Sequence, residues 1–185
     1  KKGRQLKGIH LGGPSGCIVP AHLMDTPVCY ETLKEQGLLM GSGGILVLDE
    51  DVCIVNLARY FMDFADKQSC GKCIPCREGT KRMSEILAGI CRKQADEAGH
   101  DTLERFKGVM QLESLAGVMK DTSLCGLGRD ASNPVMSSLK YFKSEYEEHI
   151  FNRNCPSNTC TELRTYYIDV GFCTGWSVCE KRCFH

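Results

Sequence analysis

SCGKCIPCREGT, residues 69–80, places three cysteines at i, i+3 and i+6 just ahead of a helix-like run. A structural zinc site usually draws its thiolates from two separated pairs, because one tetrahedral ion needs ligands from two sides. Three thiolates in consecutive steps of three better suit three corners of an iron–sulfur cubane, each on its own iron, with a fourth ligand from elsewhere. Cys53, Cys91 and Cys125 are within reach along the chain. The first two fall inside helical patterns among apolar neighbours, where a single cysteine behaves as a small buried hydrophobe. Cys125 differs: it lies in SLCGLG, residues 123–128, a glycine-flanked loop after a helix where backbone N–H groups can approach cluster sulfurs. The residues read best as a [4Fe-4S] site of Cys70, Cys73, Cys76 and Cys125, with zinc as the alternative occupant. Pro75 stiffens the loop, and Lys72 and Arg77 place positive charge beside it.

Working outward, apolar spacing predicts four amphipathic helices. The first runs from Asp51 to about Asp66 on Val52, Val55, Leu57, Phe61 and Phe64. The second runs from Arg77 to Lys93 on Met83, Ile86, Leu87 and Ile90. The third runs from Thr102 to Lys120 on Leu103, Phe106, Val109, Met110 and Leu112. The last, Pro134 to Ile150, opens on Asn133-Pro134, an N-cap followed by a tolerated N1 proline. Residues 96–101 read as a surface turn between helices, and EYEEH, residues 145–149, as a solvated helix face. Four such helices predict a small bundle. Ahead of it, residues 1–50 alternate glycine-rich turns (LGGPSG, GSGG) with short strands at Gly8–Leu11 and Ile45–Leu48, too little to close a β-fold alone. The expected class is α+β.

Composition narrows the function. Lys+Arg and Asp+Glu are equal at 23 each, so no overall basic field exists to draw in nucleic acid or anionic lipid. No apolar run reaches membrane-span length, and KKGRQLKG is followed by Gly and Pro rather than a signal-peptide core, so direct membrane insertion is not expected and a cytoplasmic location is. Thirteen cysteines, an odd count clustered at short gaps, fit metal binding in a reducing compartment better than a disulfide framework.

GGPSG, MGSGG, DED, SCGKCIPCREGT, DTSLCGLG and NPVMSSLKYF occur in this order. Over residues 6–150 the chain resembles the NADH- and FMN-binding subunit of complex I and its relatives, the β subunits of NAD(P)-linked [FeFe] hydrogenases and formate dehydrogenases. The cysteine tail looks most like the hydrogenase type. The resemblance implies a partial SLBB-type β-grasp segment over residues 1–50, a four-helix [4Fe-4S] domain over 51–151 and a partial ferredoxin-like tail over 152–185. It also implies partners in a redox complex: a flavin domain, a [2Fe-2S] thioredoxin-like subunit and a hydrogenase or dehydrogenase catalytic subunit. GSGG precedes an apolar strand rather than opening a helix, so it is not a dinucleotide cradle. FMN and NAD(P) are expected only on a missing or separate domain, with no catalysis by this chain alone. The expected role is electron relay; the rival is a zinc-bearing structural or interaction module.

The tail is the least regular part. Cys173, Cys179 and Cys183 stand as C-x5-C-x3-C, with Trp176 where a ferredoxin half-motif has its second cysteine and Phe184 where it has proline. By resemblance it reads as degenerate or truncated, with a second [4Fe-4S] cluster as one reading. Cys155 and Cys160 are free thiols on one reading; on the other they bind zinc with His149 and a tail cysteine. LRTYYIDVGF, residues 163–172, reads as one strand. Cys17 and Cys29 are expected to be unliganded, and none of the five histidines is given a catalytic role.

Overall fold

The computed structural model describes residues 3–92, 99–164 and 166–182. Three strands, β1 (Leu6–Leu11), β2 (Cys17–Pro20) and β3 (Ile45–Asp49), form an antiparallel sheet in the order β2-β1-β3. The turn between β1 and β2 is tight enough that Gly12 takes φ +102° and Gly16 has no room for a Cβ against the Leu11 carbonyl. Alternation along β1 sends Ile9 and Leu11 toward Leu33 and Leu38, beside the short helix α1 (Tyr30–Glu35). His10 points the other way and stacks on Phe61, ring centroids 4.0 Å apart. The two predicted strands are present; β2 and α1 lie where the sequence showed only turns.

The helical half comprises α2 (Ile54–Gln68), α3 (Ile74–Cys91), α4 (Gly99–Thr122), α5 (Gly126–Asp130), α6 (Asn133–Tyr141) and α7 (Lys143–Glu147), followed by a π turn over Glu148–Asn152. Its core gathers Val55, Ala58 and Met62 of α2, Met83, Leu87 and Ile90 of α3, Leu112, Ala116 and Met119 of α4, and Val135 of α6. A final short helix, α8, spans Val178–Arg182.

Several expectations are corrected. α3 starts at Ile74, not Arg77: Cys73 is its extended N-cap and Pro75 occupies the first turn, where a missing N–H costs nothing. On α4, Leu103, Phe106 and Met110 are exposed while Leu112, Ala116 and Met119 are buried, because this helix carries apolar residues on opposite sides and only one faces α3. The single helix predicted over 134–150 breaks at Phe142 (φ −127°, ψ 35°). Beyond the break Glu145 turns inward: it accepts from the Ile54 N–H at 3.1 Å and pairs with Lys7 Nζ at 2.6 Å, so EYEEH is not a solvated face. Lys7 also donates to the Val52 carbonyl at 2.6 Å, tying the sheet to the start of α2. Tyr146 beside it is fully buried, its hydroxyl 2.7 Å from Ser138 Oγ.

The described residues of 163–172 form no strand, since no neighbouring strand lies beside them; Tyr166, Tyr167, Ile168, Val170 and Phe172 are exposed. Of the turn expected at 96–101, residues 96–98 lie outside the described residues and Gly99–Asp101 belong to α4.

Candidate metal centres

The cysteine loop is short. It leaves α2 at Ser69, turns at Gly71 with φ +73°, and enters α3 at Cys73. Cys76 therefore lies in the first helical turn rather than in the loop. It is buried, Cys73 is half-buried, and Cys70 is exposed. Arg77 reaches back to the Gly71 carbonyl at 3.3 Å and closes the loop on itself. Cys125 is the extended N-cap of α5 and is exposed.

Two close contacts bring α5 to this loop. Hydrogen bonding by the Leu124 backbone holds the Cys73 thiol below its ordinary pKa, so the residue before Cys125 touches Cys73. A Cβ on Gly128 would lie 2.7 Å from Ser123 Oγ and 3.0 Å from Cys76 Cβ, so only glycine lets α5 lie against the first turn of α3. Burial raises the Cys76 pKa; the Ser69 hydrogen bond offsets part of this, and the neighbouring Cys73, Cys125 and Cys70 raise it further. All four predicted residues thus share one neighbourhood. Four thiols, one in the loop after α2 and three at the starts of α3 and α5, two of the four exposed, form a donor set whose chemistry fits an iron–sulfur cluster.

A second group forms at the other end of α2. Cys53, His149, Cys155 and Cys160 are all buried, and their ligand atoms lie within 4.8 Å of one another. Cys53 Sγ is 3.3 Å from His149 Nε2 and 3.8 Å from Cys160 Sγ, and Cys160 Sγ is 3.6 Å from the same nitrogen. A tetrahedron with bonds of about 2.3 Å has edges of about 3.8 Å, the scale of these separations. His149 Nδ1 lies 2.6 Å from the Glu145 carbonyl, which can only accept, so Nδ1 carries the proton and Nε2 offers its lone pair to the thiols.

Burial and the close approach of neighbouring thiols raise the pKa values of the thiols in this group. The Cys53 pKa is pushed up to about 12: its hydrogen bond with Cys155 lowers it, but Cys160 and burial more than offset that. Cys155 is pushed up to about 11 by its hydrogen bond with Cys53 and by burial. Cys160 is raised as well: Cys53 acts to lower it, and Cys91 and burial outweigh that.

Sequence reasoning missed part of this group. Cys53 is not a lone helical hydrophobe but the N-cap of α2, facing three other donors. Among the described residues, the third thiol beside Cys155 and Cys160 is Cys53. No local spacing reveals it, because Cys53 and His149 lie 96 residues apart; the legible fragment was Cys155 and Cys160 a few residues beyond a histidine. Cys173 and Cys179 are exposed on the tail, and Cys183 lies outside the described residues. Cys17 is buried and Cys29 bonds Thr32, away from both groups. Among the described residues, no helix is long and apolar enough to cross a membrane.

Comparison with known proteins gives a consistent picture. The chain is 41% identical over 181 residues to the NADP-reducing hydrogenase subunit HndC of Solidesulfovibrio fructosivorans, covering 98% of this chain and 35% of that one. It is 36% identical over 156 residues to the F-type subunit of NADH-quinone oxidoreductase from Streptomyces coelicolor, covering 84% and 33%. The chain thus spans about a third of the length of the curated relatives it matches. A solved NAD+-reducing [NiFe]-hydrogenase in the H2-reduced state superposes with a TM-score of 0.65 at 25% identity, over 79% of this chain and 23% of that one. Residues 56–149, from the first turn of α2 to the histidine of the second thiol group, match the model of the NADH-ubiquinone oxidoreductase-F iron–sulfur binding region, and the chain belongs to that oxidoreductase family.

Proposed function

We propose that this chain is the electron-relay portion of a multi-subunit NAD(P)H-linked oxidoreductase, carrying one [4Fe-4S] cluster on Cys70, Cys73, Cys76 and Cys125. The observation that carries this reading is the convergence of the loop between α2 and α3 with the N-cap of α5, inside the matched iron–sulfur region. A cluster bound there would supply one-electron transfer. The chain's own residues position it: Gly128 and Leu124 bring the fourth thiol in, and Arg77 holds the loop closed. We assign residues 1–50 to a partial SLBB-like β-grasp segment, 51–151 to the cluster domain and 152–185 to a partial ferredoxin-like tail. Flavin and nucleotide belong to a separate domain, and the partners are the flavin domain, a [2Fe-2S] subunit and a hydrogenase or dehydrogenase subunit.

The test is electron paramagnetic resonance of the anaerobically reconstituted, reduced chain. The expected result is a [4Fe-4S] signal that Cys125→Ser abolishes or converts. An unchanged signal in that variant refutes the ligand assignment.

A specific observation favours a second metal. The tetrahedral spacing of Cys53, His149, Cys155 and Cys160 suits structural zinc, which would stitch the start of α2 to the π turn and the segment after it. This site adds to the relay reading and does not replace it. Metal analysis of purified protein should give one zinc beside the iron; iron without stoichiometric zinc rejects it.

A further inference from the structure

The relay reading leaves open what sets the cluster's reduction potential, and two serines against Cys76 bear on it. Ser69 Oγ lies 3.4 Å from Cys76 Sγ, and the same oxygen accepts from the Gly71 N–H at 3.3 Å. An iron-bound thiolate has no proton to give. A thiolate can only accept, so the Ser69 hydroxyl is the donor and the Cys76 sulfur the acceptor, while Ser69 Oγ still accepts from the Gly71 N–H. Ser123 is the second serine. It is 6% exposed, its hydroxyl has no partner among the described residues, and it borders the same methyl-sized space over Gly128 as the Cys76 Cβ. Buried hydroxyls are ordinarily hydrogen-bonded, and leaving one bare is unfavourable by about 1–3 kcal/mol. An unpaired buried O–H at the edge of a thiolate set points to an acceptor supplied by the bound cluster.

We propose that Ser69 and Ser123 are potential-setting residues that donate hydrogen bonds to sulfurs of the cluster at its Cys76 corner and raise its reduction potential. The inference rests on the [4Fe-4S] reading above. The physical reason is charge. Reduction adds one electron to an already negative cluster, much of it on sulfur, and an O–H dipole aimed at sulfur stabilises the more negative state more strongly. One electron is gained, no bond breaks, and neither hydroxyl gives up its proton. Cys76 is the corner where this matters most, because it is the buried one of the four and water cannot substitute for a lost donor. Cys70 and Cys125 are exposed and can be solvated directly.

The experiment is a redox titration of the anaerobically reconstituted full chain, followed by electron paramagnetic resonance, for wild type, Ser69→Ala, Ser123→Ala, the double variant and Ser69→Thr. Both alanine variants should keep wild-type iron and sulfide content and titrate at lower potential. The double variant should show about a tenfold lower reduced-to-oxidised ratio at fixed potential, a shift of about 59 mV for one electron. Ser69→Thr, which keeps the hydroxyl, should restore the wild-type value. Wild-type potential in Ser123→Ala or in Ser69→Ala, with full cluster content, overturns the role of that serine. Where a variant fails to take up a cluster, resonance Raman of the wild-type chain in H2O and D2O decides. Iron–sulfur stretching bands that move on exchange in wild type support the O–H···S bonds, and bands that do not move reject them. A wild-type chain with no [4Fe-4S] signal refutes the relay reading instead, so the two failures are distinguishable.

Discussion

His10 offers the most direct test of how the sheet is held to the helices. Its imidazole is 2% exposed, stacks on Phe61, and leaves Nε2 without a partner among the described residues. Burial alone drives its pKa from 6.5 to about 4, because the charged form would lose its water with nothing to replace it. The folded chain therefore binds this proton less readily than the unfolded chain. The stabilising contribution is complete above about pH 6.5, declines as pH falls, and is exhausted below about pH 4. Integrating the linkage relation between pH 7.5 and pH 5 gives a loss of about 2 kcal/mol from this one group. The assay is urea unfolding at both pH values for wild type and His10→Leu. Helical circular dichroism is the probe, because Trp176, the chain's single tryptophan, is 79% exposed and reports nothing of the core. Subtracting the variant's pH dependence removes contributions common to both proteins. A difference near 2 kcal/mol is expected; identical pH dependence in the two proteins refutes the assignment of a buried, neutral His10.

Lys7→Met should destabilise the fold by about 3 kcal/mol, because it strands the Glu145 carboxylate in the interior, and Lys7→Met with Glu145→Gln should recover much of that in thermal melts. Gly79→Ala places a Cβ 2.5 Å from the buried Met119 Sδ, an overpacking worth about 1–3 kcal/mol, and pairing it with Met119→Val should relieve the strain. Cys160→Ser should lose zinc and lower the melting temperature while the iron signal at the loop between α2 and α3 persists; loss of iron in proportion would show the two groups to be one site.

Much of the helical half was legible because Met83, Leu87 and Ile90 repeat at helical spacing and become core. The four cysteines proposed as cluster ligands stood out for another reason: three of them lie in one heptapeptide and the fourth sits in a glycine-rich loop. What escaped has a common cause in partners distant along the chain. Arg105 is buried and Met110 exposed on α4, a choice made by α3 rather than by α4's own pattern. Glu145 reads as a surface charge until Lys7, 138 residues earlier, and the Ile54 N–H are brought beside it. Cys53 reads as filler until three donors from beyond residue 148 surround it.

α2 has a thiol–imidazole group at its N-cap and the cysteine loop at its C-cap. Fifteen residues at 1.5 Å each make a rod of about 22 Å between them. Tunnelling decays exponentially with separation, so a cluster held at one end would be electronically remote from an ion held at the other. An ion with no accessible second oxidation state at the far end would neither compete for electrons nor leak them. The same rod would join the two ends mechanically, so with both proposed sites occupied the route of charge and the route of motion would part along a single helix.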